Sequence, residues 1–427
     1  MSAGDARGAA ARVLLRVARD AAYLSRALDA ELERQAVSDV RERALATELA
    51  YGVTRTRAAL LGALGPFVPR GVEKTDERVL VQLLLAAYQL LFLDRVPAFA
   101  AVDAAVRNVR AERGPKPAGF ANAVLRKLAS AELRVSKSEA IVSSVPVWLR
   151  ERLTRDVGEA EMRALVGATD GEPPLTLRAR LAVPLPPSLD ALPRGRVSPL
   201  ARVLGPGDPR KLAGYSEGAF VVQEEGAQVV ALALGVRPGQ RVLDACAGRG
   251  QKTSLFSEQL GSGAELWACD VHPAKLAELA REHRRLGLAP PHTLAVDLGV
   301  GAGNLPEGFQ RILVDAPCTG SGTLRRRPEL ALRLGPDDPA RLADLQRRIL
   351  ETAARRAAPG ARIVYAVCSV LREEGEEVVS SLGDLLEPVP FDAPELVEVL
   401  GRDTTRVRLL PLAHGTDGFF MASLRRR

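Results

Sequence analysis

The sequence predicts an α/β protein: a C-terminal doubly wound, mostly parallel sheet wrapped by helices, an all-α domain in front of it, and a small α+β connector between the two. Three observations predict it. Through residues 5–133, Ala, Leu, Val and Arg recur at three- and four-residue spacing, and Pro66, Pro69, Pro97, Pro115 and Pro117 fall between the helical runs. Residues 171–215 hold nine of the 29 prolines together with short alternating runs such as Leu175-Thr176-Leu177-Arg178, which suit a few strands. Beyond Gly218, short β-rich runs alternate with helical ones, the pattern of a parallel sheet with crossover helices. The expected domains are residues 1–135, 136–217 and 218–427.

In the helical part, the longest apolar stretch is 79–93. It is interrupted by Gln82 and Gln89, flanked by Asp76, Glu77, Arg78, Asp94 and Arg95, and shorter than the roughly 20 residues a membrane span needs, so it reads as a buried helix. The first thirty residues carry charges throughout and hold no uninterrupted apolar core, so no secretory signal and a cytoplasmic location are expected. With 47% hydrophobic and 26% charged residues the chain suits a globular protein, which excludes a membrane bundle and a disordered binding segment. Of the net charge of +7, residues 1–135 carry most, with 21 Lys/Arg against 15 Asp/Glu, and a polyanion such as RNA is the natural partner. Cys246, Cys269, Cys318 and Cys368 are far apart, and the four histidines do not pair with them at ligand spacing, so neither a metal site nor a disulfide framework is expected.

In the α/β part, strands are expected at 241–245, 265–270, 293–297, 311–315 and 362–367, with helices such as 273–286 and 340–357 between them. Ligands of such sheets bind at the carboxyl ends of the strands. Asp244, Asp270, Asp297 and Asp315 stand there; one such Asp is more often a helix cap, but four at one edge suit the hydroxyls and amino groups of a nucleoside. The loop Cys246-Ala247-Gly248-Arg249-Gly250-Gln251-Lys252 follows the first strand, and its glycines let backbone approach a ligand. It is not a phosphate-binding P-loop, because Gln251 precedes Lys252 where a glycine is required. Asp315-Ala316-Pro317-Cys318 leads into a glycine-rich loop and then Arg325-Arg326-Arg327, which suit RNA phosphates. The fifth strand ends Tyr365-Ala366-Val367-Cys368-Ser369. A lone cysteine is usually a small buried hydrophobe. Two, from adjacent strands facing one crevice, suit nucleophilic chemistry on an electron-poor pyrimidine carbon.

The segments Asp-Ala-Cys-Ala at 244–247, Asp-Ala-Pro-Cys at 315–318, Tyr-Ala-Val-Cys-Ser at 365–369 and Asp-Gly-Phe-Phe-Met-Ala at 417–422 resemble the RNA cytosine-5 methyltransferases. Within them the chain is most similar to the bacterial 16S ribosomal RNA enzymes of the Sun/Fmu (RsmB-like) type. Tyr88-Gln89-Leu90-Leu91, Arg95-Val96-Pro97 and 119–126 resemble that type's N-terminal NusB-like RNA-binding domain, and the likeness spans nearly the whole chain. The resemblance implies a Rossmann-like class I methyltransferase domain and S-adenosyl-L-methionine as methyl donor, held by residues 246–252 and by Asp270, Asp297 and Asp315. It implies that Cys368 attacks C6 of a cytosine and that Cys318 assists release, with Asp315 between donor and base and Arg325, Arg326 and Arg327 on the RNA backbone. The implied partner is 16S ribosomal RNA, free or in a small-subunit precursor, with no metal or membrane and a monomeric enzyme. The alternatives are another RNA as substrate and a non-catalytic ribosome-assembly factor on the same fold. Arg249 and Gln251 replace residues of the family's Ala-Pro-Gly-Gly-Lys loop, Val367 stands where Thr or Ser usually precedes the nucleophile, and Gly375 stands near where an Asn usually follows the Glu pair.

Overall fold

The computed structural model of the chain describes residues 5–131, 133–169, 172–205, 207–261 and 265–427. They divide into two units, one of Met1–Arg152, Met162–Asp170 and Leu324–Leu334, the other of Leu153–Glu161, Gly171–Thr323 and Gly335–Arg427. No helix of the described residues is long and apolar enough to cross a membrane.

The first unit begins with α1 (Ala6–Arg19), α2 (Leu24–Arg34), α3 (Val40–Arg55), α4 (Arg57–Leu64), α5 (Glu77–Phe92), α6 (Ala98–Arg113) and α7 (Pro115–Ser130). Carboxylates start three of them: Asp5 accepts from Arg7 N, Asp39 from Arg41 N and Glu42 N, and Asp76 from Arg78 N and Val79 N. An unpaired first-turn amide is satisfied this way, worth about 1 kcal/mol per cap. The apolar stretch read from the sequence is α5, buried from Val79 through Gln89 apart from Leu80. Tyr88, wholly buried, lies so close to α3 that a Cβ on Gly52 would stand 2.1 Å from its ring. Gln89 accepts from Arg7 Nε at 2.8 Å and donates to Leu85 O at 2.8 Å, so two of the residues behind the NusB-like resemblance hold the bundle together. Helices α8 (Lys137–Ser144), α9 (Val147–Val157) and α10 (Glu159–Leu165) follow in the chain.

In the second unit, β1 (Leu175–Ala179), a short α11 (Pro187–Asp190), β2 (Ala201–Leu204) and β3 (Phe220–Val222) make an antiparallel sheet of order β2-β1-β3. The chain then runs through α12 (Glu225–Leu232), β4 (Arg241–Asp244), α13 (Gln251–Leu260), β5 (Glu265–Asp270), α14 (Pro273–Arg285), β6 (His292–Ala295), β7 (Phe309–Asp315), α15 (Asp338–Arg356) and β8 (Ala357–Val367). It closes with β9 (Leu386–Pro388), β10 (Arg406–Leu409) and β11 (Phe419–Arg426). The large sheet has the order β10-β11-β8-β7-β4-β5-β6, with β9 also on β11. Pairs among β4 to β8 are parallel, and those of β11 with β8, β9 and β10 are antiparallel.

This is the doubly wound, mostly parallel fold that the alternation predicts, with two additions. The sheet acquires an antiparallel flank, since β11 enters beside β8. The last parallel strand also starts at Ala357 rather than near 362, because the chain leaves α15 directly into pairing with Phe309. Sequence order reverses between β4 and β7, so their carboxyl ends open the crevice in which such sheets bind ligands.

Candidate functional site

All groups at this edge belong to the second unit. Asp244 ends β4, and Asp315 ends β7 next to it. Between β4 and α13 the loop turns on Gly248, at φ +57°, and Gly250, at φ +82°. Gly250 is required twice over: left-handed backbone suits glycine, and a Cβ there would meet Leu279 Cγ at 2.5 Å. A Cβ on Gly248 would meet nothing within 4 Å, so the crest of the loop faces open space. Ala247 N donates to Cys269 O at 2.8 Å and Ala245 N to Leu313 O at 2.9 Å, which tie the loop to the strands on either side.

Asp270 holds the loop from the β5 side. Gly248 N donates to its Oδ2 at 3.1 Å, His272 N to its Oδ1 at 2.8 Å, and Lys275 Nζ stands 3.5 Å from Oδ1. Asp297, exposed, accepts from Gly299 N at 2.8 Å. Lys252, in the first turn of α13, reaches Asp315 Oδ2 at 2.6 Å. Burial opposes its charge, but Asp315, Asp244 and Cys368 together hold its ammonium above the ordinary lysine value. Asp244 lies beneath, wholly buried, with Thr253 Oγ1 donating to its Oδ2 at 2.7 Å. Burial pushes its carboxyl up to about 7.

The two departures from the family loop have partners of their own: Arg249 pairs with Glu278 on α14, and Gln251 Nε2 donates to Val222 O at 2.8 Å. Cys246 sits in the loop, where burial and then the charges of Asp315, Asp244 and Asp270 keep its thiol well above the ordinary value. Cys269 is buried in β5 and pushed up to about 12.

The other two cysteines meet. The register of β7 on β8 sets Asp315 opposite Ala366, and just beyond the strand ends Cys318 Sγ and Cys368 Sγ lie 3.4 Å apart. Both are partly exposed. The hydrogen bond to Cys368, then burial, hold the Cys318 thiol well above its ordinary value. The Cys318 loop is fastened by Gly322 N on Cys368 O at 3.0 Å and by Gly418 N on Gly322 O at 2.8 Å. A Cβ on Gly322 would stand 2.0 Å from Gly418 O, so the 417–422 segment and the Cys318 loop are packed backbone on backbone. Gly375 likewise lies where a Cβ would come within 2.9 Å of the Phe420 ring.

Arg325, Arg326 and Arg327 belong to the first unit, in the Leu324–Leu334 segment. Arg55 Nη2 donates to Arg325 O at 2.6 Å, and the Arg327 guanidinium lies 5.7 Å from the Tyr23 ring centroid. Nearby Glu329, 1% exposed, accepts from Leu24 N, and Arg333 Nη2 donates to Ala22 O. The segment is thus anchored in the helical bundle by its own side chains.

Sequence reasoning passed over the polar residues that follow each thiol, Thr319, Ser321 and Ser369, and the buried Glu374 beneath them. Their types are ordinary for a loop, and only their convergence sets them apart.

Comparison with known proteins gives this edge its context. Residues 231–425 match the family described as 16S rRNA methyltransferase RsmB/F, and residues 4–130 match the NusB family. A Mycobacterium tuberculosis protein named as a methyltransferase is 37% identical, over 99% of this chain and 96% of its own. The ribosomal RNA small subunit methyltransferase B of Thermus thermophilus is 36% identical, over 100% of this chain and 99% of its own, and that of Xylella fastidiosa is 34% identical over 97% and 99%. Among solved structures, PH0851 shares the fold along 98% of both chains at a TM-score of 0.84 and 23% identity. A methyltransferase homologue from Pyrococcus horikoshii covers 69% of this chain and 96% of its own at a TM-score of 0.54 and 26% identity. With a helical NusB-like part in front, a Rossmann-like sheet behind and relatives alike from end to end, the chain belongs to the 16S rRNA methyltransferase RsmB/F family.

Proposed function

We propose that this chain transfers a methyl group from S-adenosyl-L-methionine to C5 of a cytosine in 16S ribosomal RNA, free or in a small-subunit precursor, by way of a covalent bond from Cys368 to C6. The observation that carries the reading is the 3.4 Å pair of sulfurs at the ends of β7 and β8, beside the Lys252–Asp315 ion pair.

The residues fit the donor. The open crest at Gly248 and the carboxylates of Asp270 and Asp297 offer a close backbone approach and acceptors for ribose hydroxyls and an adenine amino group. The bound donor supplies an electrophilic methyl group. Arg249 and Gln251 leave this cradle open, since each bonds elsewhere in the unit.

Cytosine C5 is a poor nucleophile until a group adds at C6. The Cys368 thiolate forms that bond, and the electron pair displaced onto the ring makes C5 reactive. The Lys252 ammonium favours the anion on Cys368, and Asp315 holds Lys252 in place. C5 takes the methyl group and loses its proton to a base, and the electron pair of the C5–H bond expels the Cys368 thiolate. Cys318, in hydrogen-bond contact with Cys368, exchanges a proton at that step. The target base has to leave its stack to reach the sulfur, and Arg325, Arg326 and Arg327 hold the RNA backbone.

The test is incorporation of labelled methyl into 16S ribosomal RNA from a strain lacking the gene, followed by nucleoside analysis of the product. 5-Methylcytidine is expected. Folded protein that incorporates no label, or that yields another methylated nucleoside, defeats the reading.

A further inference from the structure

Beneath the two thiols, Glu374 is sealed from solvent, at 0% exposure, and its carboxylate receives four hydrogen bonds. Thr319 N donates to Oε1 at 2.8 Å and Gln346 Nε2 donates to the same oxygen at 3.0 Å. Thr319 Oγ1 and Ser369 Oγ both donate to Oε2 at 2.5 Å. Thr319 is the residue after Cys318 and Ser369 the residue after Cys368, so one carboxylate holds both loops directly behind their sulfurs. Gln346 also donates to Pro317 O at 2.9 Å, and the Tyr365 hydroxyl donates to Glu374 O at 2.6 Å. The backbone of Glu374 is therefore fixed by β8 while its side chain fixes the loops.

The Glu374 carboxylate acts on Cys318, adding to the effect of burial and of Cys368, and the Lys252 ammonium interacts with Cys368. Burial draws the Glu374 carboxyl upward, against its Ser369, Thr319 and Gln346 donors. A neighbouring anion disfavours a second anion, and a neighbouring cation favours one.

We propose that Glu374 is a positioning residue for the methyl transfer inferred above: its carboxylate registers the Cys318 loop against the Cys368 loop and keeps the two sulfurs unlike, Cys318 as the S–H donor and Cys368 as the acceptor. The proposal rests on the cysteine roles given under the proposed function, and its first test needs neither RNA nor methyl donor.

In the full chain carrying Cys368→Ser, the initial rate of iodoacetamide alkylation at Cys318 is read by peptide mass spectrometry. Adding Glu374→Gln, which keeps the shape and removes the charge, is expected to speed Cys318 by about fivefold, because the thiolate is the reacting form. Cys269, buried in β5 of the same unit, reports the fold and is expected to keep its rate. Thr319→Val, which removes one hydroxyl donor and leaves the charge, is expected to stay within about twofold of the parent. An unchanged Cys318 rate in Glu374→Gln, or an equal acceleration in Thr319→Val, overturns the charge role. With both cysteines in place, Glu374→Gln is expected to retain more kcat than Glu374→Ala, with KM for RNA alike in the two. Equal kcat in the two overturns the registration, and if Glu374→Ala exposes Cys269 the Gln variant decides alone. A chain that methylates no RNA yet shows the Glu374→Gln acceleration would defeat the proposed function while leaving the thiol asymmetry in place.

Discussion

On the β4–β5–β6 side of the carboxyl edge the functional groups are carboxylates with acceptor positions to spare, while on the β7–β8 side they are sulfurs and hydroxyls already bonded to one another. Asp297 is exposed and has Gly299 N as a bonding partner, and Asp270 takes two backbone amides on its two oxygens. Across the crevice, Cys318 meets Cys368, Ser321 meets Ser369, and Thr319, Ser369 and Gln346 all meet Glu374. The difference teaches where each half acts. Under the proposed function the open positions take the methyl donor, so their removal is felt as affinity. Under the same proposal the groups locked by their neighbours are preorganised for the reacting atom, so their removal is felt as rate.

The largest effect tests the closed half. Cys368→Ala is expected to lower methyl transfer by at least about a thousandfold and to leave no covalent RNA complex on a denaturing gel. Cys318→Ala is expected to accumulate that complex. An adduct in the Cys368→Ala chain would mean that the two sulfurs have the opposite duties. The open half is sharpened by Asp270→Ala, expected to weaken S-adenosyl-L-methionine by about thirtyfold in calorimetric titration, near the 2 kcal/mol of a hydrogen bond to a charged group, with kcat at saturating donor changed little. A fall confined to kcat would place Asp270 with the chemistry instead.

The smallest effect lies under the floor shared by both halves. Burial raises the Asp244 carboxyl from the ordinary 3.8 to about 7, so the folded chain binds a proton there that the unfolded chain has released between those values. Stability from this group therefore falls as pH rises from about 4 to about 7, and its full cost stands above 7. Asp244→Asn removes the dependence. Its Tm is expected to gain roughly 5 °C on the parent between pH 5 and pH 8, read by thermal melts. A constant difference over that window would mean that Asp244 keeps an ordinary carboxyl in the fold.

How much of this was legible depends on the range of the force involved. The strands ending in Asp244, Asp270 and Asp315 and the helices between them follow from apolar runs a few residues long, and the structure places them where those runs stand. The arginine triplet reads as part of the α/β half because 325–327 follows the Cys318 loop in the chain, yet Glu329 and Arg333 bond into the helical bundle and the segment belongs there. Nothing local marks that change of allegiance. Arg249 and Gln251 look disruptive in a glycine-rich loop; Glu278 and Val222 O, each more than twenty residues away in the chain, absorb them. The antiparallel flank of β9, β10 and β11 was likewise invisible, since strand pairing depends on partners remote in sequence.

By itself, then, the sequence determined the kind of fold, the chemistry available at the sheet's edge and the family, because periodicity and motif are properties of neighbouring residues. Tertiary structure alone decided that two sulfurs fifty residues apart stand 3.4 Å from each other and that Glu374, rather than Glu373 beside it, lies beneath them. The first depends on the register of β7 on β8, in which Asp315 faces Ala366, and the second on which carboxylate the turn after β8 carries inward. A one-residue slip of β7 on β8 would reverse which of their side chains face the crevice, and only packing across the whole sheet selects the arrangement found.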